Sequence, residues 1–95
     1  MRDEPQKWQL RWEPAPLRQL KKLPRAVQPR LIAVAESLAS DPRPAGVTKL
    51  TDVRHASGAA LYRVRSGDYR IVYTLENEQL IVLVVSVADR KEGYR

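Results

Sequence analysis

At 95 residues, of which 43% are hydrophobic, the chain is long enough for one packed core and too short for two, and its composition excludes wholesale disorder. Seventeen Lys and Arg against eleven Asp and Glu leave a net charge of +6, and twelve of the seventeen are arginine, so an anionic partner is expected. The absence of cysteine excludes a disulfide framework and thiolate chemistry; no apolar run is long enough to span a membrane and no signal-peptide core follows Met1-Arg2-Asp3-Glu4-Pro5, so a soluble cytoplasmic protein is expected.

Lys7-Trp8-Gln9-Leu10-Arg11-Trp12-Glu13 alternates strictly, with Trp8, Leu10 and Trp12 on one side, and reads as the first strand. Pro14 and Pro16 end it. From Ala15 to Leu23, Leu17, Leu20 and Leu23 recur at three-residue spacing, which predicts a short amphipathic helix with Arg18, Lys21 and Lys22 on its polar side. A second helix after Pro24 carries Val27, Leu31, Val34, Ala35 and Leu38 on one stripe and runs to about Ala39. Pro29 sits awkwardly inside it. A proline in a helix interior removes a hydrogen bond and costs about 3 kcal/mol, so this helix either kinks there or starts late, near Gln28.

Asp41-Pro42-Arg43-Pro44-Ala45-Gly46 is a loop, followed by Lys49-Leu50 and a polar segment from Thr51 to Gly58 that holds the single histidine, His55. Three strands are predicted after it, at Ala59 to Arg65, Tyr69 to Leu75 and Gln79 to Val87. Leu80-Ile81-Val82-Leu83-Val84-Val85 lacks alternation and belongs inside the sheet, with the first strand as one neighbour. The tail from Asp89 to Arg95 is too polar for a core element. The expected fold is therefore α+β: an antiparallel four-stranded sheet with two N-terminal helices on one face, in the order β-α-α-β-β-β, with a short C-terminal tail.

Ser66-Gly67 is a turn signal between two runs rich in Val, Ile and Tyr. If those two residues form the loop, Arg63 lies opposite Arg70 and the two share a face with Arg65, while Tyr62, Val64, Tyr69, Ile71 and Tyr73 take the other. A three-residue loop would separate Arg70 from Arg63. Like charges opposite one another are unfavourable by about 0.2 to 1 kcal/mol, and a bound phosphate gripped by guanidinium forks outweighs that easily. In the alternative reading, the face is merely solvated and Arg65 pairs with Asp68.

Leu20-Lys21-Lys22-Leu23-Pro24, Asp41-Pro42 followed by Lys49-Leu50, the hairpin Leu61 to Tyr73, and the ending Asp89-Arg90-Lys91-Glu92-Gly93-Tyr94-Arg95 together resemble the RelE/ParE family of type II toxin-antitoxin toxins, over nearly the whole chain. The hairpin and the ending carry most of the likeness. In its RelE branch the resemblance implies a ribosome-dependent endoribonuclease that cuts messenger RNA and is silenced by a cognate antitoxin, the complex binding operator DNA through the antitoxin. ParE-type members share the fold and poison DNA gyrase. The family's catalytic positions fall on Arg63, Arg65, Arg70, Arg90 and Tyr94. Where RelE-like enzymes often carry lysine this chain has Arg63 and Arg65, and arginine does not deprotonate, which leaves general-base catalysis without its usual residue. His55 is the substitute that its pKa nominates, set against the plainer reading of a surface histidine. Lys21, Lys22 and Lys49 are candidate RNA or ribosome contacts. With one histidine, no cysteine and scattered acids, no metal or cofactor site is expected.

Overall fold

The computed structural model describes residues 8–89. Its elements run β1 (Gln9–Trp12), α1 (Pro14–Lys21), α2 (Gln28–Ser37), β2 (Thr48–Arg54), β3 (Ala60–Ser66), β4 (Tyr69–Glu76) and β5 (Ile81–Asp89). The five strands form one sheet in the order β1-β5-β4-β3-β2, with every pair antiparallel except β1 and β5.

The α+β layering and the helix-helix-meander order are as expected. The sheet has one strand more than expected and is mixed rather than wholly antiparallel. The extra strand, β2, is exposed almost throughout, with only Leu50 partly covered. Its pairing to β3 is interrupted between Leu50 and Arg54, so apolar alternation is lost in the sequence. Such charged, irregular strands are typical of a sheet edge, where they discourage pairing with other chains. β5 lies between β1 and β4, which accounts for its nearly continuous apolar run.

Pro29 does not kink α2. The helix begins at Gln28, which puts Pro29 in the first turn, where the missing amide hydrogen has no intrahelical acceptor to lose. Gln28 in turn donates through Nε2 to the Leu23 carbonyl at 2.9 Å, tying the start of α2 to the chain leaving α1.

Leu20 of α1 and Leu31, Ala35 and Leu38 of α2 pack with Ile71, Tyr73, Leu75, Val82, Val84 and Val87 to form the core. Trp8, Leu10 and Trp12 close it at the β1 side, and Tyr62, Val64 and Tyr69 at the hairpin side. Both helices therefore lie over one face of the sheet, and the residues that alternate with these point to the other. Where β1 ends, α1 takes over the open edge of β5: the Gln19 side-chain oxygen accepts a 2.9 Å hydrogen bond from the Val87 amide. No helix among the described residues is long and apolar enough to cross a membrane.

Candidate functional site

The β3–β4 hairpin turns at Gly67-Asp68, one residue later than the sequence suggests. Ser66 pairs with Tyr69, Arg65 with Arg70, Val64 with Ile71 and Arg63 with Val72. Gly67 has φ +60° while Asp68 does not enter the positive region, the pattern of a two-residue turn with glycine at its first central position. The expected pairing of Arg63 with Arg70 is thus replaced by Arg65 with Arg70. Both strands slip by one residue, so the parity survives. Arg63, Arg65 and Arg70 share the face opposite the helices, and Tyr62, Val64, Tyr69, Ile71 and Tyr73 share the core face.

Next to a two-residue loop, Ser66 and Tyr69 are the hydrogen-bonded pair, and Arg65 and Arg70 are the following non-hydrogen-bonded pair, whose side chains stand closest. Arg65 is exposed, and Arg63 and Arg70 are half-buried. Among the described residues neither Arg63 nor Arg65 makes an ion pair or side-chain hydrogen bond, and Arg65 does not pair with Asp68. Next to the arginines this face carries Thr48 beside Arg63, and Val72, Ser86 and Ala88 across β4 and β5, while Glu76 shares it only at the far end of β4. None of the residues next to the arginines introduces an acid. The face can accept an anion.

Behind the face, Tyr73 is wholly buried and its hydroxyl donates to the Pro42 carbonyl at 2.7 Å. Burial, and then the neighbouring Tyr62, push its pKa from 10.0 to about 12. The Tyr62 ring stacks on it with centroids 5.7 Å apart, and the Arg43 guanidinium lies 5.6 Å from the Tyr62 centroid. These contacts pin the 41–46 loop against the core side of the hairpin. Trp8, Trp12, Tyr69 and Tyr73 serve the core, as their strand positions suggest.

His55 lies elsewhere. Its amide bonds to the Ala59 carbonyl at the far end of β3, six residues or about 20 Å of strand from Arg65. Its Nε2 is 2.8 Å from Glu13 Oε2, and its Nδ1 accepts from the Ser57 amide at 3.2 Å with Ser57 Oγ at 2.9 Å. The Ser57 amide fixes Nδ1 as the acceptor, so Nε2 carries the proton toward Glu13. Lys21 and Lys22, at the end of α1, are exposed. Lys49 is exposed as well, but it pairs with Tyr62 and so projects on the opposite side from the arginines. Arg90 and Tyr94 lie outside the described residues. One cation absent from the sequence-derived set is brought to the hairpin: Arg30 of α2 reaches the turn at Gly67.

The model of the ParE toxin of type II toxin-antitoxin systems, from parDE, matches residues 10–94. The chain belongs to this toxin family. Solved structures to which the toxin is similar are RelE proteins. The archaeal RelE-RelB complex from Pyrococcus horikoshii OT3 superposes with a TM-score of 0.74 at 24% identity, covering 88% of this chain and 96% of that one. The RelBE2 complex from Mycobacterium tuberculosis gives 0.72 at 23%, over 94% and 98%. For the intact RelBE toxin-antitoxin complex of E. coli the values are 0.66 and 26%, over 86% and 95%. No curated protein matches the toxin. Its sequence thus matches a ParE model while its fold superposes on RelE toxins.

Proposed function

We propose that the toxin is an endoribonuclease that cuts messenger RNA on the ribosome and is silenced by a cognate antitoxin, as the RelE-RelB complexes suggest for their own chains. The observation that carries this reading is the helix-free face on which Arg63, Arg65 and Arg70 sit together, with Arg65 and Arg70 directly opposed. Opposed guanidinium groups repel, and an RNA phosphate between them would offset that repulsion.

In metal-free cleavage the ribose 2′-oxygen attacks the adjacent phosphorus, its proton departs, the bond to the 5′-oxygen breaks, and that oxygen takes up a proton, leaving a cyclic phosphate and a 5′-hydroxyl. Arginines on a sheet are fixed donors for the charge that builds on the phosphorane, and Arg90 with Tyr94 from the chain end complete the set in this reading. Tyr94 serves as the stacking platform or proton donor. His55, bonded to Glu13 at the other end of β3, is not assigned a part in the chemistry. With no described base beside the arginines, rate must come from substrate positioned by the ribosome, so free RNA is cut poorly. Lys21, Lys22 and Lys49 serve as peripheral phosphate contacts.

The test is induced expression followed by mapping of transcript 5′ ends. Cuts phased to codons are expected, and they should vanish with Arg65→Ala or Tyr94→Ala in folded protein. The match to the ParE model favours a second reading, inhibition of DNA gyrase without catalysis. Loss of supercoiling by purified gyrase, with transcripts left intact, would replace the first reading with this one.

A further inference from the structure

Arg30 stands in the first turn of α2, because Pro29 delays the start of the helix to Gln28. That is an unfavourable place for a cation, since the helix end is itself partially positive and no acidic residue occupies this turn. The side chain is exposed, and among the described residues it makes no ion pair, hydrogen bond or ring contact. It nevertheless leans over the hairpin: Arg30 Nη2 lies 3.7 Å from the position a Cβ on Gly67 would take. Gly67 is two residues, or about 7 Å of strand, from Arg65. A guanidinium from the helical layer and two from the sheet therefore gather at one turn, approaching it from opposite sides.

We infer that Arg30 is a further phosphate ligand of this surface, and that single-stranded RNA runs round the β3–β4 turn, one phosphate held on the Arg65 and Arg70 side and a neighbouring one by Arg30. The inference rests on the RNA reading above and adds to it a path and a residue. Glycine at position 67 suits this arrangement because its positive φ makes the turn that brings the hairpin tip beside the guanidinium. An acidic protein segment is the competing occupant, and the favoured one is RNA because the gathered groups are all arginines, set on both sides of one turn at a spacing suited to a repeating phosphate.

The experiment measures binding of a labelled 2′-O-methyl oligouridylate, which cannot be cleaved, to wild type, Arg30→Ala, Arg30→Lys and Arg65→Ala across a salt series. Each lost phosphate contact lowers the slope of log K against log salt by about 0.7 for a single strand. Arg30→Ala is expected to bind several-fold more weakly with a slope reduced by about that amount, while Arg30→Lys keeps most of the slope and all three variants melt as cooperatively as wild type. If Arg30→Ala matches wild type in affinity and slope while Arg65→Ala does not, the role of Arg30 is refuted and the RNA reading stands. If the wild type shows no salt-dependent binding at all, the RNA reading falls and takes this inference with it. Loss of poly-glutamate binding in Arg30→Ala with oligouridylate binding unchanged assigns the residue to a protein-facing surface and overturns the inference.

Discussion

Replacing Arg65 with glutamine should make the toxin more stable while disarming it. Arg65 and Arg70 are opposed in a non-hydrogen-bonded pair, and Arg65 has no compensating carboxylate among the described residues. Two guanidinium groups about 7 Å apart in water repel by about 0.6 kcal/mol, inside the range of about 0.2 to 1 kcal/mol for like charges facing one another on a sheet. For a domain of this size each kcal/mol moves the melting temperature by about 4–8 °C, so Arg65→Gln should melt about 2–5 °C higher. The gain should be largest at low ionic strength and nearly absent near 1 M salt, where the Debye length falls to about 3 Å. Thermal melts of both proteins in dilute and concentrated sodium chloride, followed by circular dichroism, measure it. An unchanged or lower melting temperature in dilute salt, or a gain that salt does not reduce, would show that the pair is not a site of stored repulsion, and the chief physical argument for an anion there would go.

Other consequences can be checked on the same protein. Tyr73 keeps its proton in the folded state up to about pH 12, while in the unfolded chain it titrates near 10. Its contribution is therefore complete below pH 10 and is lost as the pH climbs toward 12, by about 2–3 kcal/mol, and Tyr73→Phe should flatten that part of the stability profile. At neutral pH, Tyr73→Phe should cost about 1–3 kcal/mol in urea unfolding, because the Pro42 carbonyl loses its donor. Leu31→Ala removes a side chain that is 1% exposed at the centre of the helix-sheet contact and should cost about 2–5 kcal/mol by the same assay. Glu13→Ala should leave cleavage by wild-type-like toxin intact at saturating substrate if His55 has no chemical role, and a loss of the chemical step in single-turnover kinetics would restore His55 to the reaction.

How much of this was legible in the sequence follows from the physics of each piece. The two helices were readable because their apolar spacing is strong, and Pro29 itself announced the late start of α2. The arginine face was readable because side-chain direction depends only on parity, which a slip of one residue in both strands leaves unchanged. The turn position was not, since Ser66-Gly67 and Gly67-Asp68 are both acceptable two-residue loops and both put the same residues on the core face. β2 escaped notice because an edge strand needs no buried face, so Thr48 to Arg54 lacks the alternation that betrays one. The parallel pairing of β1 with β5 depends on where the helices cross the sheet. Arg30 escaped for a related reason: its place at the turn is set by the lie of α2 over β3, which no local pattern encodes.

The bond between Glu13 and His55 links segments that follow the two edges of the sheet. Glu13 follows β1 and His55 follows β2, the two outermost strands. Laid flat, those strands would stand about 19 Å apart, four spacings of about 4.8 Å, which is more than a glutamate and a histidine side chain can bridge. Their meeting at 2.8 Å means that the turn after β2, which lies beyond the break in the β2–β3 pairing, reaches back toward β1, and the Glu13–His55 bond holds it there. A substitution at position 13 therefore frees the 55–58 loop at one end of the sheet, while the β3–β4 arginines stay where the pairing of their own strands sets them.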